Sequence, residues 1–340
     1  MPLRLTCLLL VLHLAAVARP SAAEVTTDQP GAIIIFPKVV SDQNQDTIIQ
    51  ITNATGSQIQ ARCFYINGAI DQTTGEPLWL LIDFQIKLTR LQPTIWVAGE
   101  GLPAVPPDRP PELYAGPVPP VGIGFTGELR CVVVNSSESP VSRNALTGEG
   151  TLIDRVSHAT RKYQAITVQG LPGNNGDNTL LLNDVEYDTC PRVLLLNHFF
   201  DDAPDPILNT PVESRLTLVP CSMDLEKTIP GSATVQFEVF NEFEQRLSAS
   251  LTVTCFADVE LSALDGNGPR ERSIFNFAQQ GTLVGQTRIR PIIDTNGTFG
   301  HGVVAIAEEF RDNGQTGAAL NLHFIGGNLQ SDIMILPNSF

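Results

Sequence analysis

The chain has 340 residues, with 36 Asp and Glu against 21 Lys and Arg, and a formal net charge of −15. Such acidity repels phosphate backbones and anionic lipid surfaces, which argues against a nucleic-acid partner and against direct membrane binding. Aromatic residues make up 6 %, with Trp79 and Trp96 the two tryptophans, so stacking platforms for sugars are scarce.

The N-terminus comes first. Arg4 precedes an apolar run over residues 5–18, broken by Thr6 and His13, and Ser21 and Ala23 put small residues at the −3 and −1 positions of a cleavage after Ala23. This is the layout of a removable export signal over residues 1–23 and places the chain in a secreted or periplasmic compartment. Arg4 and Arg19 leave with it, so 19 basic residues face 36 acidic ones and the mature charge becomes −17. No later stretch approaches the roughly 18 apolar residues of a membrane span, so no transmembrane segment is predicted.

Loss of Cys7 leaves five cysteines: Cys63, Cys131, Cys190, Cys221 and Cys255. Export makes disulfides the default, and no pair has the two-residue spacing of a zinc or redox motif. Five is odd, so one thiol is unpaired or bridges two chains.

Period-two alternation, the mark of a strand with one buried face, runs along most of the chain. It predicts strands at 33–40, 47–52, 59–65, 80–88, 128–134, 163–168, 193–197, 235–240, 247–255, 288–293, 303–307 and 320–325. Glycine and proline fall between these runs as turn residues. No segment carries a sustained 3.6-residue apolar pattern, although a helical turn is allowed near 273–278.

Two blocks recur in the same order. Residues 47–53 leading to Arg62-Cys63-Phe64 resemble residues 234–241 leading to Thr254-Cys255-Phe256. Phe125 and Phe299, then Ala145-Leu146 and Ala319-Leu320, repeat at a separation of 174. The predicted fold is therefore all-β: two tandem antiparallel β-sandwich domains of immunoglobulin-like type, related by internal duplication. The boundary falls in the turn-rich stretch 170–177, giving domains at 24–172 and 173–340. In this matching Cys63 equals Cys255 and Cys131 falls opposite Ala305, so Cys63–Cys131 is the predicted bridge inside the first domain. Cys255 is then left to Cys190 or Cys221.

Residues 103–120 include eight prolines and read as an insertion in the first domain, either an exposed docking segment or a stiff surface loop. Acidic, Asn-rich loops offer hard oxygen ligands for calcium, with Asp177, Asp201, Asp202 and Asp205 as the candidate ligands. The groups Asp184, Glu186, Asp188 and Asp265, Asn267 have the same character, but none has the full twelve-residue loop. His198 before Asp201 and Asp202 could orient a base; no Gly-x-Ser-x-Gly elbow, zinc-spaced histidine pair or Walker A loop accompanies it. Asn53, Asn135 and Asn296 open glycosylation sequons.

The blocks Val219-Pro-Cys-Ser-Met-Asp224, residues 240–246 and Thr254-Cys-Phe256, with Phe36-Pro-Lys38, Arg62-Cys-Phe-Tyr65 and Gly127-Glu-Leu-Arg-Cys131, resemble a set of uncharacterised exported bacterial tandem β-domain proteins. The resemblance implies no activity and assigns no functional residue. The expected function is a non-enzymatic binding or structural protein of the cell envelope or extracellular space, with a protein or surface as partner. One alternative is a calcium-stabilised adhesin or appendage component that self-associates through the odd cysteine or a sheet edge. The other is a secreted carbohydrate-active hydrolase using paired carboxylates.

Overall fold

The computed structural model describes residues 25–338 apart from 72, 76, 105–109, 111–113, 267, 293–299, 313 and 329. The predicted signal, Cys7, Asn267 and the Asn296 sequon lie outside the described residues. The described chain is all-β, with several antiparallel sheets.

The first half holds β1 (Ile33–Ser41), β2 (Gln45–Asn53), β3 (Ile59–Asn67), β4 (Leu80–Leu88), β5 (Pro93–Val97), β6 (Phe125–Val134), β7 (Leu146–Asp154), β8 (Thr160–Gln164) and β9 (Ile166–Val168). A connecting strand, β10 (Thr179–Leu182), follows. The second half holds β11 (Pro191–Phe199), β12 (Glu213–Pro220), β13 (Met223–Asp224), β14 (Ser232–Asn241), β15 (Arg246–Thr254), β16 (Ala257–Glu260), β17 (Val284–Pro291), β18 (Val303–Arg311), β19 (Thr316–Asn321) and β20 (His323–Gly327). The terminal β21 (Asp332–Ile335) joins β10 and β13 in a small sheet. An α-helical turn, Phe277–Gln280, overlaps the end of the 273–278 stretch where a helical turn is allowed.

The two halves pair their strands in the same order. In the first, β4-β3-β6-β1-β9 form one layer and β5-β2-β7-β8 the other, joined where Ser41 of β1 meets Asp46 of β2. In the second, the layers are β15-β14-β17-β11-β20 and β16-β12-β18-β19. Asn67 ends β3 opposite Gly127, and Asn241 ends β14 opposite Gly285. Each asparagine accepts from the backbone N–H two residues on, Ala69 or Phe243, so its side chain turns the chain out of the strand. Each glycine leaves room beside the neighbouring strand. A Cβ on Gly127 would sit 1.9 Å from the Ile66 carbonyl oxygen, and one on Gly285 would sit 2.5 Å from Phe200 and 3.1 Å from the Phe240 oxygen.

This correspondence moves the sequence repeat by one strand. The matched blocks 47–53 and 234–241 fall on β2 and β14, which are not equivalent in pairing order; β3 is the counterpart of β14. Any two alternating hairpins look alike in sequence, because period two encodes a face and not a position in the sheet. Cys255, just after β15, is therefore not the counterpart of Cys63 in β3. Cys63 and Cys131 are bridged, as predicted, between the directly opposed strands β3 and β6. Cys190 and Cys221 form the second disulfide, and Cys255 is a buried free thiol that burial pushes up to about 12.

Each sandwich has its own apolar core, and a third cluster lies between them. It joins Ile33, Ile35, Phe64 and Val132 of the first half to Val219, Met223, Phe256 and Val304 of the second. The five-stranded layer of the first half thus packs its outer face on the four-stranded layer of the second, which is why all of β1 is buried. The described part of the proline-rich segment is not a free docking arm. Ala115 and Val118 enter the first core, and the Ala115 carbonyl accepts from Lys87 N–H on the edge strand β4.

Candidate functional site

The strongest concentration of buried charge lies where the two halves meet. It begins with an irregularity in β1, whose pairing with β6 slips by one residue between Phe36 and Val39. Pro37, which has no N–H to give a ladder, sits in this bulge, and a bulge re-aims the neighbouring side chain. Lys38, otherwise a lone charge in an apolar run, is turned toward the second half.

Lys38 Nζ lies 3.0 Å from both Asp258 oxygens and also contacts Glu308. Asp258 stands on β16 and Glu308 on β18. Glu308, 1 % exposed, takes Arg161 Nε of β8 at 2.7 Å on its other oxygen. The Arg161 guanidinium covers the Phe310 ring at 4.7 Å. Asp258 further accepts from Thr217 Oγ1 at 3.1 Å and from Arg215 at 3.5 Å. Burial alone would raise the Asp258 carboxyl, but Lys38 and Arg215 together hold it below the usual carboxylate range. Lys38, Arg215 and Asp258 line a cleft of about 590 Å³ between the halves, together with Asp202, Glu213 and Arg270.

Two further buried arginines of the first half cross the same boundary. Arg130 pairs with Glu128 at 2.8 Å and donates to the carbonyls of Pro220 and Cys221. Arg62 donates to the Pro337 carbonyl at 2.9 Å. At the far edge, Gln164 of β8 and Asn321 of β19 exchange two hydrogen bonds of 2.8 Å.

The predicted calcium ligands do not assemble, and of the four only Asp202 borders this cleft. Asp177, on an exposed loop, accepts from Thr179 N–H and Asn175 Nδ2. Asp201 is buried and bridges Ser214 N–H and Ser262 N–H, one oxygen to each; burial pushes its carboxyl up to about 6. Asp202 takes Asn276 Nδ2 at 2.6 Å and Arg270 at 3.3 Å. Asp205 holds its own turn through the N–H groups of Leu208 and Ile207, which depress its carboxyl, and takes Arg311 at 2.7 Å. Among the described residues, the one group of three or more ligand-type side chains whose atoms converge within 4.8 Å is Cys190, Cys221 and Asp332, of which both cysteines are committed to the disulfide.

His198 is structural. Its Nδ1 faces the Phe199 carbonyl, which only accepts, so Nδ1 carries the proton and Nε2 accepts from Thr287 Oγ1 at 2.8 Å. Burial pushes it down to about 4. A Ser-His-Asp group that sequence reading missed joins Ser222, His301 and Asp332. Ser222 gives its proton straight to Asp332 at 2.6 Å, and His301 meets both partners through the same Nδ1. A nucleophile needs the imidazole between hydroxyl and carboxylate, so this arrangement anchors β21 and does not activate Ser222. Neither tryptophan lines the cleft: Trp96 is buried and donates to Tyr65 Oη at 2.6 Å, and Trp79 packs against the cluster between the halves.

No helix among the described residues is long and apolar enough to cross a membrane. No protein-family model and no curated protein matches the chain.

Proposed function

We propose that the protein is an exported, non-enzymatic structural or binding protein in which two immunoglobulin-like sandwiches, related by internal duplication, act as one unit. The observation that carries this reading is the surface between the halves, where apolar side chains, three arginines and Lys38 are buried together. A catalytic cleft between domains needs carboxylates that face free space across a substrate. Here Asp258 and Glu308 are both tied to Lys38, which supports a joint over a substrate-binding catalytic cleft. The shared strand order supports duplication, and the two disulfides with the N-terminal signal pattern support export.

Cell fractionation with N-terminal sequencing of the recovered protein tests the address. Export gives a chain starting at Glu24, outside the cytoplasm, with one titratable thiol after denaturation. A cytoplasmic chain that keeps residues 1–23 and titrates five or more thiols overturns the reading.

A further inference from the structure

The Lys38 cluster seats one amine nitrogen against both oxygens of a carboxylate that comes from the other half. Nζ is equidistant from the two Asp258 oxygens, at 3.0 Å each, which puts the carboxyl carbon at about 3–3.5 Å, the separation of a near-attack pair. Glu308 touches the same Nζ and is held from behind by Arg161. Thr217 Oγ1 and Arg215 lie on the Asp258 oxygens, where negative charge would grow during attack on that carbon.

We propose that Lys38 and Asp258 join in an intramolecular amide that covalently links the two halves, with Glu308 as proton carrier. Glu308 takes one proton from the Lys38 ammonium and passes it to an Asp258 oxygen, leaving an amine beside a carboxylic acid. The amine lone pair forms the Nζ–Cγ bond. Glu308 then moves a second proton from nitrogen to the Asp258 hydroxyl, the C–O bond breaks, and water departs. The third proton stays on the amide nitrogen, so one ammonium and one carboxylate become one neutral amide and one water, with no outside reagent.

The charges around the pair select which cation reacts. Lys38, Arg161 and Arg215 surround Asp258 and Glu308, and Glu260 lies further out, 3.7 Å from Arg215. Arginine does not give up its proton in proteins, so Lys38 is the one cation of this cluster able to become neutral. The product removes a buried ion pair and with it the cost of keeping two ions out of water. Lys38 and Asp258 line the cleft between the halves, which gives the released water an exit.

The test is intact mass spectrometry of the full chain, reduced and denatured, followed by fragmentation of a digest. The expected protein is lighter by one water than its sequence, with a branched peptide joining the Lys38 and Asp258 segments. Glu308→Gln, which keeps the shape and a carbonyl for Arg161, is expected at full mass. A wild-type chain at full mass with both residues in linear peptides overturns the proposal. A water loss located in a linear peptide, such as a cyclised Asp265-Gly266, overturns it equally. A Glu308→Gln protein that still carries the branched peptide removes Glu308 from the chemistry. The amide does not depend on export, so its failure leaves the exported structural reading untouched.

Discussion

The two halves pair their strands identically yet treat one surface in opposite ways. With Asn67–Gly127 set on Asn241–Gly285, the outward positions Phe64 and Val132 of the first half correspond to Glu238 and Arg290 of the second. Phe64 and Val132 are buried under the second half. Glu238 and Arg290 instead pair with each other at 3.0 Å, and Arg290 also reaches Gln236. The contact between the halves is heterologous, one layer's outer face on a different layer of the next unit. Such contacts propagate unless a surface stops them. The equivalent face of β14 and β17 carries salt-bridged charges instead, and burying them under a third unit would cost more than it returned. A similar asymmetry marks the edges: β4 is capped by the proline-rich segment through Ala115, whereas β15 has no such described partner and presents Ser248, Ser250 and Thr252.

The sharpest way to break this comparison is to make the same substitution at equivalent arginines. Arg130 faces Phe64 and is buried; Arg288 faces Glu238 and is exposed. Arg130→Met leaves Glu128 buried without its cation and is expected to cost about 3–5 kcal/mol by urea denaturation. Arg288→Met is expected to stay within about 0.5 kcal/mol, as exposed sites do. Equal costs would mean that the surface between the halves is not the support described here.

The disulfides come next. Replacing Cys63 and Cys131 together by Ala is expected to lower stability by about 2–5 kcal/mol, read from urea midpoints. Because the cluster between the halves shares Phe64 and Val132 with the disulfide-bearing strands, both halves should still unfold in one transition. Two separated transitions would show that they are independent.

Giving the second half the first half's apolar pattern should open that face to association. Glu238→Phe with Arg290→Val is expected to give concentration-dependent association in light scattering, with little change in the thermal midpoint. A variant that stays at the wild-type mass at high concentration counts against that role for the polar face.

The smallest effect is pH-dependent. The hydrogen bond to Asp332 raises His301 above its ordinary 6.5, against a smaller opposing effect of burial. A group raised in the folded state adds stability that is full below the unfolded value and fades as pH rises through the folded one. The midpoint advantage of wild type over His301→Gln should therefore be largest below pH 6.5 and shrink in alkaline buffer. An advantage that grows with pH would show that Asp332 does not favour the charged imidazole.

Much of this protein was written in local pattern. Alternation along residues 247–255 marked β15, and the fold class followed from such runs, because period two is set by the backbone itself. Cys63–Cys131 was reached through a matching of Cys63 with Cys255 that the strand order does not keep; the bridge forms because β3 and β6 lie side by side. The equivalence of strands was not legible: β2 resembles β14 in sequence, but only hydrogen-bond partners show that β3 is its counterpart. The acidic loops looked like ligand sets because Asp and Asn also build turns, and the structure gives Asp205 and Asp177 to their own backbones. The site that matters most gave one sequence signal, a Pro-Lys pair inside the apolar run 33–40. Its partners Asp258 and Glu308 lie 220 and 270 residues away. No local rule spans such distances. Only the packing of one half on the other, and a one-residue bulge in β1, brought them onto the same nitrogen.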